Sequence, residues 1–284
     1  MPRQSMPQKT AHDAALTAPR VGLFVTCLVD LMRPSVGFAA VKLLRASGCH
    51  VEVPAAQTCC GQPAYNAGDK ADASAIAKQT IAALEDYDFI VAPSGSCAGM
   101  LKHHYPRLLA GETDWAERAR RFAGKVHELL SFLVHQRGIT DLGGLNARYD
   151  GRVTYHDSCS GLREMGIKAE PRQLLAMVEG LELVEMHDAE VCCGFGGTFA
   201  VKFGEISNVM VEKKTVNISQ AEPDLLLAGD LGCLMNMAGK LKRQGSKIAA
   251  RHIAEVLAGD LSAPAIAAGA HDECDGCKSR KEGG

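Results

Sequence analysis

Cys192-Cys193-Gly194 has an earlier twin, Cys59-Cys60-Gly61, and these two triplets decide how the chain is read. Each thiol pair stands between two further cysteines at similar distances. Cys27 precedes Cys59 with 31 residues between, and Cys97 follows Cys60 with 36 between. Cys159 precedes Cys192 with 32 between, and Cys233 follows Cys193 with 39 between. Eight of the eleven cysteines thus form two matching sets of four, the mark of an internal repeat. Cysteines scattered through a core as small hydrophobes would carry no such matched spacing.

The segments around the triplets repeat as well. Residues 21–26 are a continuous apolar, β-branched run, as expected of a strand buried on both faces, and they lead to Cys27. Residues 36–46 have helical periodicity with Gly48 as cap, and 49–53 read as a short strand closed by Pro54. A helix over 69–84 and a strand over 88–92 bring the chain to Cys97. In the second half a strand over 152–155 leads to Cys159, a helix over 171–178 starts with proline, and a strand over 181–186 leads to Cys192. A helix over 201–219 and a strand over 224–228 lead to Cys233, and 247–257 close the core. There His252 and Glu255–Leu257 echo a pattern at 127–133.

Strands alternating with helices predict right-handed crossovers and mainly parallel sheets. The expected fold is α/β: two tandem, pseudo-repeated Rossmann-like domains. Their cysteines lie at the carboxyl edges of the strands or in the loops beyond, where such sheets place ligands. The expected divisions are a mobile leader (1–20), a first cysteine-rich domain (21–150), a second (151–262) and a disordered tail (263–284). Residues 101–147 read as an extension whose patterned part, 125–136, is helical, with Gly143-Gly144 and Tyr149-Asp150-Gly151 as the link.

Composition narrows the function classes. The 284 residues are 46% hydrophobic and 23% charged, with a formal net charge of -2. That balance offers no electrostatic footprint for nucleic acid. No uninterrupted apolar run approaches the ~20 residues of a membrane helix. The first twenty residues lack the apolar segment of a signal peptide, so a cytoplasmic protein is expected. Thiols there stay reduced, and eleven of them point to metal or redox chemistry rather than disulfides.

Four thiolates at one site suit a structural zinc or an iron–sulfur cluster. Zinc ribbons favour paired C-x-x-C knuckles, which neither set has. Adjacent cysteines diverge, so they suit two corners of a bulky cluster better than one small ion. Gly61 and Gly194 let the backbone turn close to the sulfurs, and Gly194-Phe195-Gly196-Gly197-Thr198 offers free amides to cluster sulfides. That stretch lacks the strand–G-x-G-x-x-G–helix context of a nucleotide loop. His156, Asp157 and Asp230 stand near the second set as outer partners, proton carriers or simple caps. Gln62, Tyr65 and Asn66 follow the first triplet, as lining of a cleft or as solvated loop. His103-His104 read as surface and Cys49 as core. In the tail, Cys274 and Cys277 after His271 are exposed thiols or a zinc half-site that a partner completes.

These residues resemble the CCG-type cysteine-rich domain. It occurs in tandem in the cysteine-rich component of heterodisulfide reductase and in the iron–sulfur subunits of glycolate and glycerol-3-phosphate oxidation. Five stretches in order, 21–30, 59–66, 93–97, 192–199 and 232–236, are similar to the lactate-utilisation protein A family, with similarity over about 20–258. The resemblance implies a cytoplasmic electron-transfer subunit of a three-part system that oxidises L-lactate to pyruvate. It would work with a ferredoxin-like iron–sulfur subunit and a third subunit, and would not be catalytic alone.

The wider group's repeat ends in C-x-x-C, but here Met100 and Asn236 hold that last place, leaving four thiolates per repeat. A [4Fe–4S] cluster per repeat then fits, held by Cys27, Cys59, Cys60 and Cys97 and by Cys159, Cys192, Cys193 and Cys233. Zinc in one repeat is the alternative. The other readings are a zinc-stabilised scaffold, a heterodisulfide reductase-like thiol/disulfide protein and a glycolate oxidase iron–sulfur subunit.

Overall fold

The computed structural model describes residues 18–268. The tail residues His271, Cys274 and Cys277, and most of the leader, lie outside the described residues. Eight strands alternate with helices: β1 (Arg20–Leu23), β2 (His50–Glu52), β3 (Phe89–Ala92), β4 (Val126–Glu128), β5 (Arg148–His156), β6 (Glu179–Leu183), β7 (Leu225–Ala228) and β8 (Ala249–His252). They form two four-stranded sheets in the orders β2-β1-β3-β4 and β6-β5-β7-β8, and every pairing is parallel. The sheets therefore repeat one topology, as the doubled cysteine pattern predicts.

Side-chain alternation explains the apolar runs. Val21, Leu23 and Val91 face a core that also holds Val153, Tyr155, Leu225, Leu227 and Ile253 of the second repeat. Between them, Ile90 and Ala92 face a different core with Ile81, Leu84 and Phe122. Leu226 and Ala228 likewise turn to a third core with Val211 and Met237. One face of each sheet thus enters a core shared by both repeats, and the other is covered by that repeat's own helices. Each such side chain contributes about 1.5–3 kcal/mol when buried, so the shared core joins the repeats into one body.

The stretch expected to be a helix over 125–136 is not continuous. The helix Thr113–Lys125 ends, Val126–Glu128 becomes β4, and only then does a short helix, Leu129–Ser131, run into a π-helical turn, Phe132–Gln136. Val126, Leu129, Leu130 and Leu133 satisfy helical spacing, but parallel pairing of Ile90 with Val126 and Ala92 with Glu128 claims the first three residues. No turn signal separates this short strand from the helical stripe that follows it, so periodicity does not resolve it. Residues 101–147 are therefore no extension; they complete the first sheet. β8 completes the second and is followed by the helix Ile253–Leu257, so the echo between the two regions is real.

Two smaller corrections concern boundaries. β5 begins at Arg148, with an irregularity in its pairing before Gly151, so Tyr149-Asp150-Gly151 lies inside a strand rather than in a link. The start of the expected disordered tail is docked: Ile266 N donates to the Ala250 carbonyl at 2.8 Å, and its side chain packs on the core.

Polar contacts also cross between the repeats. Arg33 Nε donates to Glu255 Oε1 at 2.9 Å and Oε2 at 3.1 Å, and Ser35 Oγ donates to Oε1 at 2.7 Å. Arg33 Nη2 lies 2.9 Å from Oε1 without hydrogen-bond geometry. Lys42 Nζ donates to the Ala258 carbonyl at 2.6 Å.

Candidate metal centres

Each sheet hands its thiols to the start of a helix. Thr26 caps the helix Cys27–Met32 by accepting from Val29 N, and Ser158 caps Cys159–Arg163 by accepting from Gly161 N. Ser94 caps Gly95–Gly99 by accepting from Cys97 N, and Cys233 lies in the first turn of Leu231–Arg243. These four thiols thus stand just beyond the strand ends, in first helical turns. Thr26, Ser94 and Ser158 are the sequence signal for three of those helix starts, and Asp230 stands at the fourth without a side-chain cap bond.

The CCG triplets supply the other two thiols of each set. Gly61 N donates to Cys59 Sγ, and Gly194 N to Cys192 Sγ, each at 3.4 Å. Both contacts need a left-handed glycine, with φ of 79° at Gly61 and 84° at Gly194. A Cβ on Gly194 would lie 2.8 Å from the Ser207 carbonyl oxygen and 2.9 Å from Met210 Cβ. Gly194→Ala is therefore expected to destabilise the protein by about 2–4 kcal/mol, strain and clash together. Gly68→Ala, also left-handed but facing open space, is the comparison and should cost only the conformational part, about 1–2 kcal/mol. Denaturant unfolding checks both.

The sets have the same internal layout. Cys60, Cys97, Cys193 and Cys233 are buried, whereas Cys27, Cys59, Cys159 and Cys192 are half-buried. Cys27 Sγ lies 3.8 Å from Cys59 Sγ. Hydrogen bonds from Cys27 and Cys60, with the Gly61 N–H, hold Cys59 far below the usual thiol range. Cys159, Cys193 and the Gly194 N–H do the same for Cys192. The neighbouring thiols are pushed up in turn, Cys27 and Cys60 by Cys59, and Cys159 and Cys193 by Cys192. The first cysteine of each triplet is thus the readiest thiolate. Soft sulfurs clustered with amide donors fit an iron–sulfur centre or zinc.

Around the thiols the expected outer residues take different roles. His156 is fully buried, its Nδ1 is 3.1 Å from the Ala189 carbonyl, and burial lowers its pKa to about 3. Its ligand atom and the sulfurs of Cys193 and Cys233 lie within 4.8 Å of one another. Asp157 is clamped by Arg172, at 2.8 and 2.9 Å. Asp230 is a joint: Oδ1 accepts from Ser94 Oγ at 2.6 Å and Ser96 Oγ at 2.7 Å, and Oδ2 from Ser158 Oγ at 2.6 Å. It ties helix starts of both repeats together, where Gly95 packs so closely on Gly161 that a Cβ would meet its Cα at 2.6 Å. Asn236 Nδ2 donates to the Cys193 carbonyl at 2.9 Å, and Met100 is buried, so neither replaces the missing cysteine as a thiol. Cys49 is in the core.

One cavity of about 480 Å³ touches both sets. Cys27, Cys59, Cys60 and Cys97 line it from one repeat, and Cys159 and Cys233 from the other. Gln62, Tyr65 and Asn66 line it too. His104 does as well, which corrects its reading as surface: Nδ1 is 3.2 Å from Tyr65 Oη, and Nε2 is 3.4 Å from Glu164 of the other repeat. Nothing in the cysteine spacing signals a shared cavity.

A family model described as a cysteine-rich domain of the CCG type matches residues 21–102 and 153–238, and each match contains one complete set of four cysteines. The chain is 50% identical over 238 residues to lactate utilization protein A of Geobacillus thermodenitrificans (strain NG80-2), covering 84% of this chain and 98% of that protein. The chain belongs to the lactate utilization protein A family. Lactate utilization protein A of Oceanobacillus iheyensis is 46% identical over 84% of this chain and 96% of its own length. Lactate utilization protein A 2 of Bacillus cereus (strain AH820) is 44% identical over 86% of this chain and 99% of its own length. No helix among the described residues is long and apolar enough to cross a membrane.

Proposed function

We propose that this chain is a cytoplasmic iron–sulfur electron-transfer subunit that serves the oxidation of L-lactate to pyruvate. In this reading Cys27, Cys59, Cys60 and Cys97 hold one [4Fe–4S] cluster, and Cys159, Cys192, Cys193 and Cys233 hold another. A bound cluster supplies a one-electron store. The carrying observation is that two four-thiol sets open on one cavity. The Gly61 and Gly194 amides bias the sulfur charge. The names of its relatives support lactate utilisation as the setting. The partners in this reading are a ferredoxin-like iron–sulfur subunit and a third subunit, with lactate oxidised by the assembly rather than by this chain alone.

Anaerobically purified protein is expected to be brown, with broad absorption near ~400 nm. Cys60→Ser and Cys193→Ser should each remove about half of the iron and acid-labile sulfide, because each disables one set. Stoichiometric zinc without sulfide would sink the proposal and leave the scaffold reading.

A further inference from the structure

The repeats share their cysteines but not the residues beneath them. Phe24 stands three residues before Cys27, and His156 stands three before Cys159. The buried positions Ala73, Ala77, Thr80, Ile81 and Leu84 of the helix Lys70–Leu84 recur in Gly204–Gln220 as Ser207, Val211, Lys214, Thr215 and Ile218. Lys214 therefore occupies the place of Thr80. Beneath the second set there are an imidazole and an amine where the first has a phenyl ring and a hydroxyl.

The tautomer of His156 follows from its surroundings. A carbonyl oxygen only accepts, so the contact of Nδ1 with the Ala189 carbonyl at 3.1 Å puts the proton on Nδ1. Nε2 then presents its lone pair, and it is buried without a hydrogen-bond partner. The same carbonyl accepts from Asp157 N at 3.1 Å and Lys214 Nζ at 3.2 Å, so the ring's anchor is itself fixed. An Nδ1–H held by a carbonyl, with Nε2 free, is how proteins orient an imidazole towards a metal. His252 is the contrast. It is as buried, but its Nδ1 accepts from Ala254 N at 3.2 Å, so its Nε2 carries the proton and offers no lone pair.

We propose that His156 Nε2 is a metal ligand of the second centre, joining Cys193 and Cys233 as its buried donors, so that the two repeats hold centres of different ligand type. This rests on the reading that the second set holds a metal centre. Phe24 leaves the first centre with thiolates alone. Neutral imidazole in place of a thiolate removes one negative charge, which raises a centre's reduction potential. Five donors then surround a four-cornered centre, so with Cys193 and Cys233 kept, one of the half-buried Cys159 and Cys192 leaves the four-thiolate set proposed above.

The test is pulsed EPR on the reduced full-length protein, prepared with natural-abundance and with ¹⁵N-labelled histidine. A ligand-strength histidine nitrogen coupling is expected on one of two cluster signals, shifted by the label and absent from His156→Phe. The labelled wild-type protein decides the matter even where that variant fails to fold. Two cluster signals without such a coupling, or a coupling that survives in His156→Phe, overturn the ligand and leave the iron–sulfur reading standing. If zinc replaces the second cluster, its X-ray absorption should show nitrogen at about 2.0 Å beside sulfur at about 2.3 Å, and a sulfur-only shell overturns the proposal. Protein that binds no metal in the second set overturns both.

Discussion

Arg33→Ala is expected to destabilise the folded protein by about 3–5 kcal/mol, the cost of leaving a buried charge without its partner. The Glu255 side chain is 0% exposed and that of Arg33 is 10% exposed. Nε of Arg33 reaches both carboxylate oxygens, and truncation leaves Glu255 with the Ser35 hydroxyl and the His252 N–H as donors. Arg33 belongs to the first repeat and Glu255 to the second, so the loss loosens their junction as well. Arg120 with Glu117 is a useful contrast, because both are more than half exposed. Arg120→Ala should cost less than about 1 kcal/mol. Adding Glu255→Gln to Arg33→Ala should recover part of the loss, since a neutral amide needs no counter-charge. Urea unfolding of the four proteins measures this; a loss below about 1 kcal/mol for Arg33→Ala would show that water or relaxation replaces the guanidinium.

Glu128→Gln should have the opposite sign and a strong pH dependence. Glu128 is buried at the start of the helix Leu129–Ser131, where it accepts from Leu130 N at 2.8 Å and Ser131 N at 3.1 Å. Burial pushes its pKa from 4.5 up to about 8 against those two bonds, with Asp230 and Glu170 adding to the rise. Below the unfolded value both states hold the proton and the group has no effect. Between about 4.5 and about 8 the unfolded chain releases it and the folded one retains it, so stability falls as pH rises through this window. The full cost, reached near pH 8, is at most about 5 kcal/mol. Glutamine keeps an acceptor for the cap and cannot ionise. The variant should match the wild type near pH 4.5 and exceed it increasingly up to about pH 8. Parallel pH profiles of the denaturation midpoint for the two proteins would refute the assignment.

The fold is legible in the sequence because its main signals are local. Residues 21–26, 88–92 and 224–228 are short apolar runs between turn signals, and their strands lie near the expected places. β4 is not legible, because Val126 continues the helical stripe of Leu129, Leu130 and Leu133 with no turn signal between, whereas the equally short β2 is set off by Gly48 and Pro54. The eight candidate ligands are legible from spacing alone, and the structure gathers Cys27 with Cys59 and Cys193 with Cys233. His104 carries no comparable signal, and Asp230 shows only its nearness to Cys233, since both act across the repeat boundary.

The order and number of thiols in Cys59-Cys60-Gly61 and Cys192-Cys193-Gly194, and the glycines that turn behind them, belong to the sequence by itself. Spacing and residue type decide those, because they concern neighbours along the chain. Packing decides the rest. Ser94 meets Asp230 across 136 residues, and the two thiol sets meet one cavity, only because the sheets share a core. His156 and His252 are alike in the sequence and equally buried, yet one offers a lone pair and the other a proton. That difference depends on whether a carbonyl or an amide lies beside Nδ1, which only the tertiary structure sets.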